Sequence, residues 1–280
     1  MSKNIQEWIG NIHTQKDVIT ADKLARYQAV FGRAGATVPH GFHFTLCAPE
    51  TPMDELGVDG HPKKGGFLPP ITLPRRMWVG SSIDFHSTLQ NDMAVSRVSR
   101  IDNIEEKTGK QGKLIFVTLN HEYRQNDALI ISENQTLVYR EASKQASKQA
   151  SKELAALPPV ADNIAPVKDS EYHDKMLPDE VLLFRYSALT FNTHRIHYDA
   201  PYAKNTEHYP ALVVHGPLMA SLVLHRAQQQ FGTISQFTFR AQSPAYCGQP
   251  LYIDFTPEGD KRGFLVRGGD GRTIMNGWLN

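Results

Sequence analysis

Between residues 113 and 140 apolar and polar side chains alternate with a period of two, as in Ile115, Val117 and Leu119, the signature of a strand with one face against a core. The same reading, helped by β-branched and aromatic residues, predicts strands at 81–89, 93–101, 113–124 and 128–140, with a hairpin turn at Gln125-Asn126-Asp127. Ahead of them Thr20 caps a short helix with Leu24, Tyr27 and Phe31 near one face, and a Pro- and Gly-rich stretch from Pro49 to Arg76 is unsuited to regular structure. A second block reads as a short strand at 181–186, a polar segment, one apolar helix at 217–231, and strands at 235–242, 250–256, 263–267 and 273–279. Pro217 and Gly232 punctuate the helix ends, and Leu218, Met219, Leu222 and Val223 make its early surface so apolar that other elements must wrap it. The Gly268-Gly269-Asp270-Gly271 run lies between strands with no helix after it, so it reads as a hairpin turn rather than a phosphate loop.

Between the blocks the composition changes: residues 141–160 repeat an Ala-Ser-Lys-Gln unit with almost no apolar face and end in Pro158-Pro159, which reads as a tether. The organisation expected is an N-terminal unit at 1–140, a linker at 141–175 and a C-terminal unit at 176–280. Each unit has one helix wrapped by a curved antiparallel sheet, an α+β double hot-dog whose first copy is degraded. The repetition rests on element order, since the halves show no residue-level similarity.

At 280 residues, 40% of them hydrophobic, the chain can bury roughly three-quarters of its unfolded surface. Thirty Lys and Arg against 29 Asp and Glu leave a formal charge of +1, so no overall field recruits nucleic acid or an anionic membrane. The apolar run from Leu218 to Leu224 is far short of a span, and the polar N-terminus lacks a secretory pattern. Cys47 and Cys247, far apart, read as free thiols, and the compartment expected is the cytoplasm.

Six of the twelve histidines fall between His173 and His225. Asn192, His194, His197 and Asp199 crowd one passage, and His215-Gly216 opens the apolar helix. A histidine titrating near 6.5 exchanges protons at working pH, which adding water across a double bond requires. The competing readings are satisfied loop histidines and a metal site built from His194 and His197 with His208, His215 or Asp199. The second lacks a His-Glu-x-x-His or a cysteine pair.

The string Arg185-Tyr-Ser-Ala-Leu-Thr-Phe-Asn-Thr-His-Arg-Ile-His-Tyr-Asp199, with Tyr202-Ala203 and His215-Gly216-Pro217, resembles the MaoC-like, R-specific enoyl-CoA hydratases over about residues 180–225. The nearer likeness is to the two-hot-dog acyl-thioester dehydratases, related to 3-methylfumaryl-CoA and itaconyl-CoA hydratases. The resemblance implies reversible hydration of a short branched dicarboxylic enoyl-CoA, itaconyl-CoA to citramalyl-CoA first and 3-methylfumaryl-CoA next, with no organic cofactor or metal. A thioesterase or non-catalytic thioester-binding protein is the alternative.

By the same resemblance the catalytic histidine falls on His197, the family's aspartate on Asn192 and its asparagine on His194. Asn192 is an amide and no base, so His197 carries the proton work, Asn192 orients water through its carbonyl oxygen, and Asp199 fixes the His197 tautomer. His194 sharing the acid/base task stays open. The Gly216 N–H, at the positive end of the apolar helix, is the expected oxyanion donor. Arg195, Arg185, Tyr202 and His215 are the substrate-binding candidates, with Lys204 and Arg240 as further cations. A chain holding two hot-dog units already forms the pair that single-unit relatives assemble, and further pairing into a homodimer stays open.

Overall fold

The computed structural model describes residues 4–32, 37–109, 112–141, 156–161 and 163–280. The Ala-Ser-Lys-Gln repeats at 142–155 lie outside the described residues.

Ten strands form one antiparallel sheet. The first five are β1 (Ile12–Val18), β2 (Arg75–Phe85), β3 (Ala94–Gly109), β4 (Gly112–Gln125) and β5 (Ala128–Arg140). The second five are β6 (Tyr172–Met176), β7 (Gln236–Ala241), β8 (Leu251–Glu258), β9 (Lys261–Gly268) and β10 (Thr273–Leu279). The helices are α1 (Ala21–Phe31), α2 (Glu180–Thr190), α3 (Ala200–Asn205) and α4 (Gly216–Phe231). The strand order β1-β3-β4-β5-β2-β7-β10-β9-β8-β6 reads as the same five-strand pattern taken twice about a central seam. In each half a strand and a helix precede four strands, so β1, α1 and β2–β5 correspond to β6, α4 and β7–β10. The repetition expected from element order is therefore present in the topology.

The seam is the β2–β7 pair, in register from Gly80 opposite Arg240 to Asp84 opposite Gln236. A Cβ at Gly80 would lie 2.5 Å from the Phe239 carbonyl oxygen, so the two halves approach there at a distance that only glycine allows.

The apolar helix forms where expected. Leu218, Ala220, Val223, Leu224 and Ala227 of α4 are fully buried and pack with Phe237, Phe255 and Met275 of the sheet. The first half keeps only the shorter α1, capped by the Thr20 hydroxyl on the Lys23 N–H at 3.1 Å. The far end of its sheet, with Ile101, Ile115, Val117, Leu119 and Leu137, is covered instead by Trp8 from a 3-10 turn at Ile5–Trp8 and by Ile71 and Leu73 from irregular chain. That is the form its degradation takes.

The strand expected at 181–186 is instead the first half of α2. A run of four apolar residues, Val181 to Phe184, suits either structure; Asp179 decides, its carboxylate accepting from the Leu182 N–H at 2.7 Å as an N-cap. Two short edge strands, β1 and β6, had no expectation, and β6 lies inside the stretch read as linker. Cys47 and Cys247 are buried free thiols, as expected. Among the described residues no helix is long and apolar enough to cross a membrane.

Candidate active site

The chain between α2 and α4 is held as a polar loop over the open end of the α4 helix. Helix α2 ends on Phe191 in the left-handed region (φ 49°), and the Asn192 side-chain oxygen accepts from the His194 N–H at 3.0 Å, closing a turn that presents His194. A 3-10 turn at Arg195–His197 follows, and Val213 and Ile196 join by a backbone hydrogen bond of 3.0 Å. Asn192, His194, His197 and Gly216 line one cavity of about 1540 Å³.

His197 is buried, and its Nδ1 donates to the Val213 carbonyl oxygen at 2.6 Å. That bond fixes the tautomer and leaves Nε2 with a lone pair. Burial drives the imidazole down to about 4, against the upward pull of the Val213 carbonyl, so the ring is neutral at ordinary pH. His215 stacks on it with ring centroids 3.7 Å apart, and His215 Nε2 shares a hydrogen bond of 2.8 Å with the Ser187 hydroxyl. Burial, with the two neighbouring histidines, keeps His215 well below its ordinary value. His194 stands perpendicular to His197 at 5.3 Å and is lowered chiefly by burial.

Gly216 is the first residue of α4, and Pro217 follows at a position needing no donor. Among the described residues the Gly216 N–H makes no hydrogen bond, and the helix end supplies partial positive charge beside it.

Several expected roles change. Asp199 does not touch His197: its carboxylate pairs with Arg195 at 2.7 Å and caps α3 on the Tyr202 N–H at 3.0 Å, and Val213 holds the tautomer instead. Arg195 spends its guanidinium on Asp199, the Val58 carbonyl and the Tyr202 ring, 4.1 Å away, and does not line the large cavity. Arg185 is exposed on α2, and Lys204 and Arg240 are exposed as well, so none of them reaches the site. Asn192 commits its carbonyl oxygen to the loop, which leaves the NH₂ group as its uncommitted polar face. Tyr202 borders a smaller neighbouring cavity of about 560 Å³ with His61, Lys63, Lys64, Arg75 and Arg76.

Sequence reasoning missed Asp59 and His61. They sit at the tip of a tight loop closed by the Gly57 N–H on the His61 carbonyl at 2.7 Å and the Lys63 N–H on the Glu55 carbonyl at 2.9 Å. This loop from the first half is bonded to the polar loop of the second: the Arg195 N–H donates to the Asp59 carbonyl at 2.9 Å, and the Thr193 hydroxyl to the Gly60 carbonyl. His61 Nδ1 donates to the Asp59 carboxylate at 3.1 Å, and the His61 ring lies 4.0 Å from that of His194. Burial lowers His61. Burial would raise Asp59, but the hydrogen bond and charge of His61 outweigh it and hold the carboxyl well below its usual range. Asp59, His61 and His194 each offer a ligand atom within 4.8 Å of the others, making them the one group among the described residues spaced for a metal ion. His197, His208, His215 and Asp199, named in the metal reading, do not join it. The only sequence signal was an Asp-Gly-His in a stretch without periodicity, which says nothing of where the loop docks.

Gly60 has φ +86°, and a Cβ there would lie 1.9 Å from the Thr193 carbonyl oxygen. The expected result for Gly60→Ala is a protein that folds but loses at least tenfold in turnover, because the loop must lift from residues 193–195. A melting curve beside the rate assay checks it: unchanged turnover would mean that the loop contributes nothing to the site.

A family model described as hydroxyacyl-thioester dehydratase type 2 matches residues 41–247. The chain is 39% identical over 276 residues to a protein of Chloroflexus aurantiacus named mesaconyl-C(4)-CoA hydratase, an alignment that covers 96% of this chain and 95% of the relative. Among solved structures, HtdX of Mycobacterium tuberculosis superposes with a TM-score of 0.68 at 17% identity, covering 96% of this chain and 98% of its own. A second M. tuberculosis protein, described as having a double hot-dog fold, superposes at 0.59 with 12% identity over 97% of this chain and 94% of its own. At such identities the two structures speak for the fold alone, which is the double hot-dog expected from the sequence.

Proposed function

This chain belongs to the hydroxyacyl-thioester dehydratase type 2 family, MaoC-like hot-dog hydro-lyases, and we propose that within it the enzyme hydrates mesaconyl-C(4)-CoA or a close dicarboxylic enoyl-CoA. The observation that carries the reading is a neutral, tautomer-fixed His197 lining the same cavity as the unsatisfied Gly216 N–H. The 39% relative favours the mesaconyl, or 3-methylfumaryl, thioester ahead of itaconyl-CoA, which the resemblance at the loop alone puts first.

In the proposed reaction His197 Nε2 takes a proton from water as the water oxygen bonds to the β-carbon. The π electrons move toward the thioester oxygen, where the Gly216 N–H and the α4 dipole hold the developing negative charge. The imidazolium then returns its proton to the α-carbon, so water adds across the double bond and the histidine ends neutral. His215, stacked on His197 and anchored by Ser187, keeps the ring in place. His61 of the first half, held by the Asp59 carboxylate, steadies His194 at the cavity wall. Lys63, Lys64 and Arg76, around the smaller cavity, give positive charge suited to the phosphates of CoA, while Arg75 there is paired with Glu207 at 3.3 Å.

The purified protein is expected to bleach the conjugated absorbance of mesaconyl-C(4)-CoA with no release of free thiol. Thiol release at the rate of substrate loss would make it a thioesterase, and neither change would make it a binding protein. Faster turnover of itaconyl-CoA than of the mesaconyl thioester would reverse the substrate order.

A further inference from the structure

The inward face of the first sheet carries a polar band where an apolar stripe belongs. Along β4 the inward positions run Ile115, Val117, Leu119, His121, Tyr123, so the alternation stays intact while its chemistry changes. Strand register extends the band sideways. Gln15, Arg97 and Tyr123 lie opposite one another in one row, Ser99, His121 and Glu133 in the next, and Leu119, Gln135 and Ser81 in the third. All of these residues except Ser81 line the cavity that holds His197 and Gly216.

Arg97 is the cation of this band, and its partners are neutral. Its guanidinium donates to the Gln15 side-chain oxygen and to the Cys47 carbonyl at 3.1 Å, while its buried Nε has no partner. Among the described residues no carboxylate lies within ion-pair distance of it: Asp17 is taken by Lys23 at 2.7 Å, and Glu133 accepts from the Ser81 hydroxyl at 2.5 Å. Arg97 is half-buried at the cavity wall, and a guanidinium there with no carboxylate beside it keeps charge and donors for an anion. An anion entering the cavity beside Arg97 would pair with it.

A chain of contacts links this band to the chemistry. A Cβ on Gly216 would touch the Trp78 ring at 4.0 Å, the Trp78 N–H donates to the Ser81 hydroxyl at 3.0 Å, and that hydroxyl reaches Glu133. One indole and one hydroxyl thus lie between the oxyanion donor and the band, and Gly216, Trp78, Glu133 and Arg97 all line the same cavity. Arg76 and Lys64 also line the cavity, but they belong to the rim beside His61 as well.

We propose that Arg97 binds the free carboxylate of a dicarboxylic acyl group and so sets the enzyme's preference for such substrates over monocarboxylic ones. This rests on the hydratase reading and assigns the specificity residue that Arg195, Arg185, Lys204 and Arg240 do not provide. Burial pushes Glu133 up to about 7, and the negative charge of an incoming carboxylate raises it further, so that it meets that carboxylate as a hydrogen-bond donor.

The test uses two unreactive saturated thioesters of equal chain length, succinyl-CoA and butyryl-CoA, with binding measured by calorimetry. The wild type is expected to bind succinyl-CoA about tenfold to 100-fold more tightly, the range of a charge-assisted hydrogen-bonded pair. Arg97→Met is expected to lose that ratio while its butyryl-CoA affinity moves by less than about threefold, and Arg97→Lys to recover part of it. Equal affinities in the wild type, or a ratio that survives Arg97→Met, would overturn the assignment. Should Arg97→Met fail to fold, the Arg97→Lys ratio decides between the same outcomes. Failure of mesaconyl-C(4)-CoA hydration by the wild type would strike the proposed function instead.

Discussion

Replacing His197 by alanine is expected to lower kcat about 1,000-fold with little change in KM, the size of effect that loss of a positioned general base produces. The reasoning starts from one bond. Because Nδ1 gives its proton to the Val213 carbonyl at 2.6 Å, the ring presents a lone pair rather than an N–H at Nε2. Because burial keeps the ring near 4, that lone pair is free at any pH where the protein works. His197→Gln retains polar volume without basicity and should fail nearly as badly, which separates proton transfer from packing. Activity within tenfold of wild type in both variants would move the base elsewhere, and His194 is the residue to examine then. Rates and melting curves on the same samples make the measurement.

Acid should unfold this protein well above the range in which carboxylates protonate. His40 and His197 are lowered to about 4, His43 and His121 to about 3, and His194 and His215 are lowered as well, in each case with burial as the leading cause. The folded state holds these rings neutral, whereas the unfolded chain protonates them near 6.5. Unfolding therefore takes up protons, and stability present above 6.5 is lost as pH falls toward 4. For His197 alone, a fall from 6.5 to about 4 corresponds to about 3 kcal/mol. Glu133, raised to about 7, acts in the opposite sense, one group against those six rings and His61, which burial also lowers. Several such rings together rival a whole stability of about 5–15 kcal/mol, so urea midpoints should drop steeply between pH 7 and 5. A flat profile would mean that these histidines reach water in the native state.

Much of this was readable in the chain. β-Branched and aromatic content, with period-two alternation in β4 and β8, located eight of the ten strands, and Pro217 with Gly232 bracketed α4. The polar crowd from Asn192 to His197 stands at the cavity wall with Gly216, as the residue types suggested. What escaped had physical reasons. Helix α2 leaves Val181 and Phe184 exposed, so no helical stripe marks it. The edge strands β1 and β6 are short and carry mostly polar side chains. Asp59 and His61 depend on where a loop lands, a matter of tertiary contact that local pattern does not encode. Asp199 and Arg195 looked available and instead satisfy one another. Arg97 and His121 were within reach: both stand at inward positions of strands, where a charged or titratable side chain contradicts the alternation around it.

The β2–β7 seam makes one polypeptide stand in for an assembly of two equivalent subunits. Where identical subunits pair, each mutation arrives twice, and the same residues must answer for recognition and for chemistry in both clefts. Covalent fusion lifts that constraint. One copy can surrender its long helix and turn its vacated concavity into a receptor while the other keeps the proton-handling loop.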